Sequence, residues 1–165
     1  MVTVDDAELD AFWELARARV GPHAVPVYTG ERADRVLRPP AWAFGATPEQ
    51  ADALLRLVLD GTKTATASAQ ADYAADNEEL PVVGTLGIVL DSAGHPRALV
   101  RTTEVRVVPF DEVDAEHARD EGEGDRSLEH WRAVHERFFA EHATGGFRRD
   151  LPVVLERFRV LYAPG

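Results

Sequence analysis

Cysteine is absent from this chain of 165 residues. That absence removes disulfides, thiolate nucleophiles, iron–sulfur clusters and cysteine-ligated zinc together. Long apolar runs are missing too, and no stretch approaches the roughly 18 residues of a membrane-spanning helix. The start, Met1-Val2-Thr3-Val4-Asp5-Asp6, is acidic, whereas a signal peptide wants a basic start followed by an apolar segment. A cytoplasmic protein with no membrane partner is expected. Glycine-rich phosphate loops of the dinucleotide or Walker type do not occur, nor does a Gly-x-Ser-x-Gly elbow, which argues against a nucleoside triphosphate as ligand and against a serine-elbow hydrolase.

Positive charge is scarce. Lysine and arginine together number 18 against 29 acidic residues, a net charge of −11 at pH 7. Such a chain repels polyanions at long range unless a local basic groove overrides its field, so small or neutral ligands come first. Lys63 is the one lysine, and the other basic residues are all arginine. Arginine stays protonated in proteins, whereas lysine can lose its proton when desolvated. Lys63 is therefore a candidate site residue; as a structural cation near a helix end it would do nothing that arginine does not do elsewhere.

Hydrophobic residues make up 45% and charged residues 28% of the chain, the composition of one compact domain spanning residues 1–165. A first helix is expected from Asp6 to Val20, with Leu9, Phe12, Trp13, Ala16 and Val20 at helical spacing. Residues 22–47 read as an irregular connection holding Pro22, Pro26, Pro39 and Pro40, closed by Trp42-Ala43-Phe44-Gly45. Thr47, Pro48 and Gln50 have capping-box spacing ahead of a second helix whose stripe is Ala51, Leu54, Leu55, Val58 and Leu59. Lys63 to Ser68 then reads as an extended segment, and Asp72 to Glu79 as an exposed acidic loop. Leu86 to Leu90 and Ala98 to Val108, around the turn Asp91-Ser92-Ala93-Gly94, read as an antiparallel hairpin. Asp111 to Glu121 is a short acidic helix, Ser127 to His142 a longer one with Leu128, Trp131, His135 and Phe138 on one face, and Val153 to Tyr162 a closing strand. Strands without regular βαβ alternation argue for an α+β fold.

The histidines do not form a familiar metal motif. His135-Glu136 begins like a zincin signature, but the second ligand position holds Phe139. The run Asp120-Glu121-Gly122-Glu123-Gly124-Asp125 lacks an EF-hand pattern and reads as a solvated loop with Asp125 capping the next helix. No metal or other cofactor is expected. Without cysteine, the nucleophile candidates are Ser, Thr and Lys.

Taken in order, Trp42-Ala43-Phe44-Gly45, Gly61-Thr62-Lys63-Thr64-Ala65-Thr66-Ala67-Ser68, Val105 to Phe110 and Gly122-Glu123-Gly124-Asp125-Arg126-Ser127-Leu128-Glu129-His130-Trp131 closely resemble the longer bacterial members of the ASCH-domain family. The likeness covers most of residues 40–162, leaving the first helix and the Pro-rich connection outside. It implies a PUA-like small β-barrel of mostly antiparallel strands with surrounding helices. It also implies either an amidohydrolase that deacylates an N4-acylated cytidine-type nucleoside or an RNA-binding or metal-dependent RNA-cleaving module. In the amidohydrolases a lysine, a threonine three residues later and a downstream glutamate carry the reaction; the resemblance places these on Lys63, Thr66 and Glu121. Those enzymes have an arginine where this chain has Ser68. Trp42 and Phe44 are the expected walls against the base, with Ser68, Arg101, Ser127 and Arg159 as further substrate contacts. In the RNA reading, Lys63, Arg101 and Arg159 would line a basic groove. A regulatory module that binds a small ligand without chemistry is the third reading.

Two proton arrangements are open for these residues. Lys63 acts as a neutral base beside a protonated Glu121, or Lys63 stays charged and steadies an oxyanion while ionised Glu121 is the base. In an ideal strand Lys63 and Thr66 point to opposite faces, so their convergence would require a bulge or strong curvature.

Overall fold

The computed structural model describes residues 2–21 and 38–165. Pro22, Pro26 and His23 lie outside the described residues, as does most of the expected irregular connection. The elements run α1 (Asp6–Val20), β1 (Ala41–Trp42), α2 (Pro48–Leu59), β2 (Ala65–Ala69), α3 (Gln70–Ala75), β3 (Leu86–Leu90), β4 (Pro96–Pro109), a 3-10 turn (Phe110–Glu112), α4 (Ala115–Glu121), α5 (Leu128–His142) and β5 (Pro152–Tyr162). The strands hydrogen-bond in the order β1-β3-β4-β5-β2, with β1 parallel to β3 and the β3–β4 and β2–β5 pairs antiparallel. The class is α+β as expected. The order has β1 and β2 at its ends, so the described strands form one mixed sheet that does not close into the expected small β-barrel. No helix among the described residues is long and apolar enough to cross a membrane.

The chain groups into two compact units, residues 1–59, 84–101 and 159–165 in one and 60–83 and 102–158 in the other. In the first, α1 buries Leu9, Phe12, Trp13 and Ala16 against Leu86, Ile88, Leu90 and Leu99. Asp5 caps α1 by accepting from the Ala7 and Glu8 amides. At α2, Thr47 Oγ1 accepts from Gln50 N (3.2 Å), while Gln50 reaches back to the Ala46 amide (2.8 Å). The apolar stripe of α2 narrows to Ala51, Leu55 and Val58. β3 is buried along its whole length, which is why it reads as an unbroken apolar run.

The second unit carries the candidate site. Its core joins Ala69 of β2, Val153 and Leu155 of β5, Ala118 of α4, Trp131 and Phe139 of α5, and Phe110, Val113 and Leu151. Phe110 is the hub of the aromatic packing, 4.7 Å from Phe147 and 5.3 Å from Trp131 between ring centres. Three expectations change here. Residues 70–75, read in part as loop, form the short α3, because Ala69 ends a strand and Gln70-Ala71-Asp72-Tyr73-Ala74-Ala75 has good helix formers. The helix expected from Asp111 is split, a 3-10 turn first and then α4, whose N-cap Asp114 accepts from His117 N at 2.8 Å. Ser127 caps α5 where Asp125 was expected to; its Oγ accepts from His130 N at 3.0 Å, and Asp125 instead accepts from the Ser127 amide.

Candidate functional site

The site begins as an unmet backbone requirement. The last carbonyls of a helix have no intrahelical partner. At the end of α4 the Thr64 amide donates to Asp120 O (2.8 Å), and Lys63 Nζ donates to Glu121 O (3.4 Å). The segment before β2 is thereby stitched to the end of α4. Gly122 makes this approach possible: its φ is +76°, and a Cβ there would sit 2.6 Å from the Thr62 carbonyl oxygen. The stitching carries Lys63 and Glu121 into the same dry space.

Lys63 is 2% exposed and Glu121 1%. Lys63 Nζ donates to Ala65 O (2.9 Å) and lies 3.4 Å from Glu123 Oε2 and 3.8 Å from Glu121 Oε2. The hydrogen bonds go to Ala65 O, Glu121 O and Glu123 Oε2, matching the three N–H donors of an ammonium, and Glu121 Oε2 is a further ion-pair partner. On the same face of α4, four residues before Glu121, His117 donates from Nε2 to Glu121 Oε1 at 2.6 Å. From α5, His135 presents Nε2 to Glu121 Oε2 at 3.2 Å.

The hydrogen bonds fix the protons on His135. Its Nδ1 lies 2.8 Å from Trp131 O, a carbonyl that can only accept, so Nδ1 carries a proton. Its Nε2 faces an ionised carboxylate oxygen, so it carries the second. The imidazolium stacks on the Trp131 ring at 4.2 Å with an interplanar angle of 15°, a cation–π arrangement. Burial pulls the His135 pKa down, but the hydrogen bond and charge of Glu121, aided by Glu123, raise it above the ordinary histidine value. Burial likewise pushes Glu121 up, but Lys63, His117 and His135 outweigh it and hold its carboxyl well below the usual range. Glu123 goes the other way. Burial and the neighbouring Glu121 carboxylate raise it, with Lys63 and His135 opposing.

Glu121, Glu123 and His135 each offer one ligand atom, all within 4.8 Å of one another. The donor set nonetheless does not fit a divalent ion. The Lys63 ammonium already sits at 3.4 and 3.8 Å from the two carboxylates, and His135 turns an N–H, not a lone pair, toward Glu121. An added ion would place two more positive charges beside an existing one. Arg157 pairs with Glu104 (3.3 Å), Glu116 (3.3 Å) and Asp120 (2.9 Å), the last next to Glu121 in the chain.

β2 pairs with β5 in regular register from Ala65 to Ala69, with Thr66 opposite Glu156 and Ser68 opposite Val154. Alternation puts Thr66, Ser68 and Glu156 on one face and Ala65, Ala67 and Ala69 on the other. Lys63 lies before the strand begins, so its direction is set by the end of α4 and not by strand alternation. Ser68 Oγ accepts from Tyr73 Oη (3.3 Å), and Glu156 Oε2 accepts from Thr102 Oγ1 (3.2 Å). The hydroxyl of Ser127 is engaged as the α5 cap. Trp42, Phe44, Arg101 and Arg159 belong to the other unit. There Trp42, 37% exposed, meets the buried Phe44 edge to face at 6.2 Å and lies where a side chain at residue 87 would stand.

Sequence reasoning missed His117, Glu123 and His135 as partners. The i, i+4 spacing of His117 and Glu121 was the available signal. His135 on the apolar face of α5 was another, since a histidine there needs partners for both nitrogens.

Comparison with known proteins follows the same outline. The family model for the ASCH domain matches residues 40–162. The crystal structure of an ASCH domain from Lactobacillus crispatus JV V101 superposes with a TM-score of 0.83 at 31% identity, covering 95% of this chain and 96% of that one. A protein from Enterococcus faecalis V583 superposes with a TM-score of 0.79, also at 31% identity, covering 93% of this chain and 88% of that one. Among curated proteins none matches.

Proposed function

The chain belongs to the ASCH domain family, and we propose that it is an amidohydrolase that removes the acyl group from an N4-acylated cytidine-type nucleoside. The carrying observation is the fully buried Lys63–Glu121 pair. Desolvating two such ions costs several kcal/mol each, and well-packed apolar residues in their place are often as stable or more so. A pair kept at that cost, in a chain with one lysine, fits a chemical role better than a packing one.

The partners of Glu121 favour the arrangement in which Lys63 keeps its charge. The buried ammonium then acts by its charge on the oxygen that turns negative as the amide carbonyl becomes tetrahedral, in a dry setting where such stabilisation is strong. Glu121 holds that ammonium in place, and Thr66, three residues on, is the proposed hydroxyl that orients or supplies the nucleophile. Lys63 is set against two carboxylates, which takes it out of any basic groove for phosphates, and the net charge of −11 points the same way.

The test is salt dependence. Turnover of N4-acetylcytidine, a neutral nucleoside, should change little between 50 and 200 mM salt. A protein whose task is to grip RNA phosphates should instead lose affinity steeply over that range, by orders of magnitude if several phosphates are engaged. Steep salt-sensitive binding of structured RNA together with no nucleoside turnover would overturn the reading.

A further inference from the structure

Glu123 is the one acidic side chain of the Glu-Gly-Glu-Gly run, besides Glu121, that reaches the buried ammonium. Its carboxyl lies 3.4 Å from Lys63 Nζ and is 24% exposed, against 1% for Glu121. The loop holds it there. Gly122 and Gly124 flank it, both at positive φ; a Cβ on Gly122 would strike the Thr62 carbonyl, and one on Gly124 would run into the His130 ring. Glu123 O also accepts from the Arg126 amide at 3.0 Å. The backbone on both sides is fixed, so the side chain is aimed inward by construction.

The two carboxyls have different capacities. Glu121 is saturated: Oε1 takes a bond from His117, and Oε2 faces both His135 and Lys63. It can hold charge but is poorly placed to give or take a proton. We infer that Glu123 is the proton-exchanging group of the Lys63 cluster, taking the proton of the attacking nucleophile and returning it to the leaving amine. As the deacylating step, this rests on the amidohydrolase reading above.

The step balances. A water oxygen forms a bond to the acyl carbon, its proton passes to the Glu123 carboxylate, and the carbonyl π pair moves to the oxygen, where the Lys63 charge stabilises it. The pair then returns, the carbon–N4 bond breaks with its electrons on nitrogen, and the Glu123 proton goes to that nitrogen. The products are a carboxylic acid and the free amine, with Glu123 ionised again. The charged groups facing Glu123 are Lys63 from the segment before β2, Glu121 at the end of α4 and His135 from α5; the His130 ring, also from α5, lies against Gly124. Burial and the Glu121 charge delay its ionisation to a higher pH than that of a free glutamate, toward the range where a general base works best.

The experiment combines kinetics with a titration that needs no substrate. With N4-acetylcytidine, Glu123→Gln should lower kcat about 100-fold or more with KM little changed. It should also erase the acid limb of the pH–rate profile, while Glu123→Asp restores part of that limb. Carbon-13 NMR of the side-chain carboxyls in the wild-type protein should show Glu123 titrating above the ordinary glutamate range while Glu121 stays ionised through it. A Glu123→Gln variant that is folded and keeps the wild-type rate and limb overturns the inference. So does a Glu123 signal that titrates at or below the ordinary range. If the wild type hydrolyses no N4-acylcytidine, the amidohydrolase reading fails by itself. The NMR titration then decides whether Glu123 exchanges protons beside Lys63: movement above the ordinary range upholds it, and a flat signal ends it.

Discussion

Lys63 Nζ stands 3.8 Å from Glu121 Oε2 with both side chains all but sealed from water. A pair of this kind is costly to make and more costly to break from one side. Lys63→Met should destabilise the fold by about 3–5 kcal/mol, because it leaves a carboxylate buried without its ammonium. Lys63→Met combined with Glu121→Gln should cost less than the sum of the single changes, with a coupling of about 1–3 kcal/mol. Urea unfolding of the four proteins at pH 7 measures this, and additive costs would mean that the two charges do not interact.

Stability should depend on pH in two windows with opposite slopes. Glu121 has a depressed folded pKa, so its contribution is present above its unfolded value of about 4.3 and fades as pH falls through the folded value below that. His135 has a raised folded pKa, so its contribution is complete below its unfolded value of about 6.5 and fades as pH rises through the folded value above that. Both are fully present between those limits. Relative to wild type, Glu121→Gln should lose its disadvantage on acidification, and His135→Gln should lose its own on alkalinisation. Thermal melts across the pH range read both differences, and a constant gap for either variant would contradict the assignment.

Gly122→Ala should cost at least about 2 kcal/mol, since left-handed backbone alone costs roughly 1–2 for a residue with a Cβ and the new atom must also push the Thr62 carbonyl away. The shift would pass to Lys63, the next residue. Chemical unfolding gives the cost. An effect no larger than that of Gly61→Ala, where φ is also positive but nothing lies within 4 Å, would show that the close approach is unimportant.

The sequence made the fold class and the strongest elements legible because their signals are local. Asp5 and the stripe on α1, the Thr47-Pro48-Gln50 start of α2 and the apolar run of β3 each settle within a few residues. The open sheet was not legible, since closure depends on which edges pair and not on any one segment. At the site, Lys63 stood out by rarity and Glu121 by family resemblance, and the structure brings them together. Glu123 was hidden among Asp120, Glu121 and Asp125, because only the two glycine conformations decide that this carboxyl turns inward. His135 could be placed on the right face of α5, but its second proton follows from a carbonyl and a carboxylate on opposite sides of the ring.

Trp131→Leu should lower the His135 pKa, because the stacked indole face stabilises the imidazolium by roughly 0.5–2 kcal/mol. Nitrogen-15 NMR of the imidazole reads the change directly. An unmoved titration would mean that Glu121 alone holds the second proton.

Product release from N4-acetylcytidine, followed by chromatography, compares the wild-type protein with folded Lys63→Met and Thr66→Ala variants. The wild type should release cytidine and acetate, Lys63→Met at least about 100-fold less, the scale on which loss of oxyanion stabilisation is felt, and Thr66→Ala should be slowed by about 100-fold as well, through loss of the hydroxyl that orients or supplies the nucleophile. No cytidine from the wild type across a panel of N4-acylated cytidines, or undiminished release by Lys63→Met, would contradict the amidohydrolase reading.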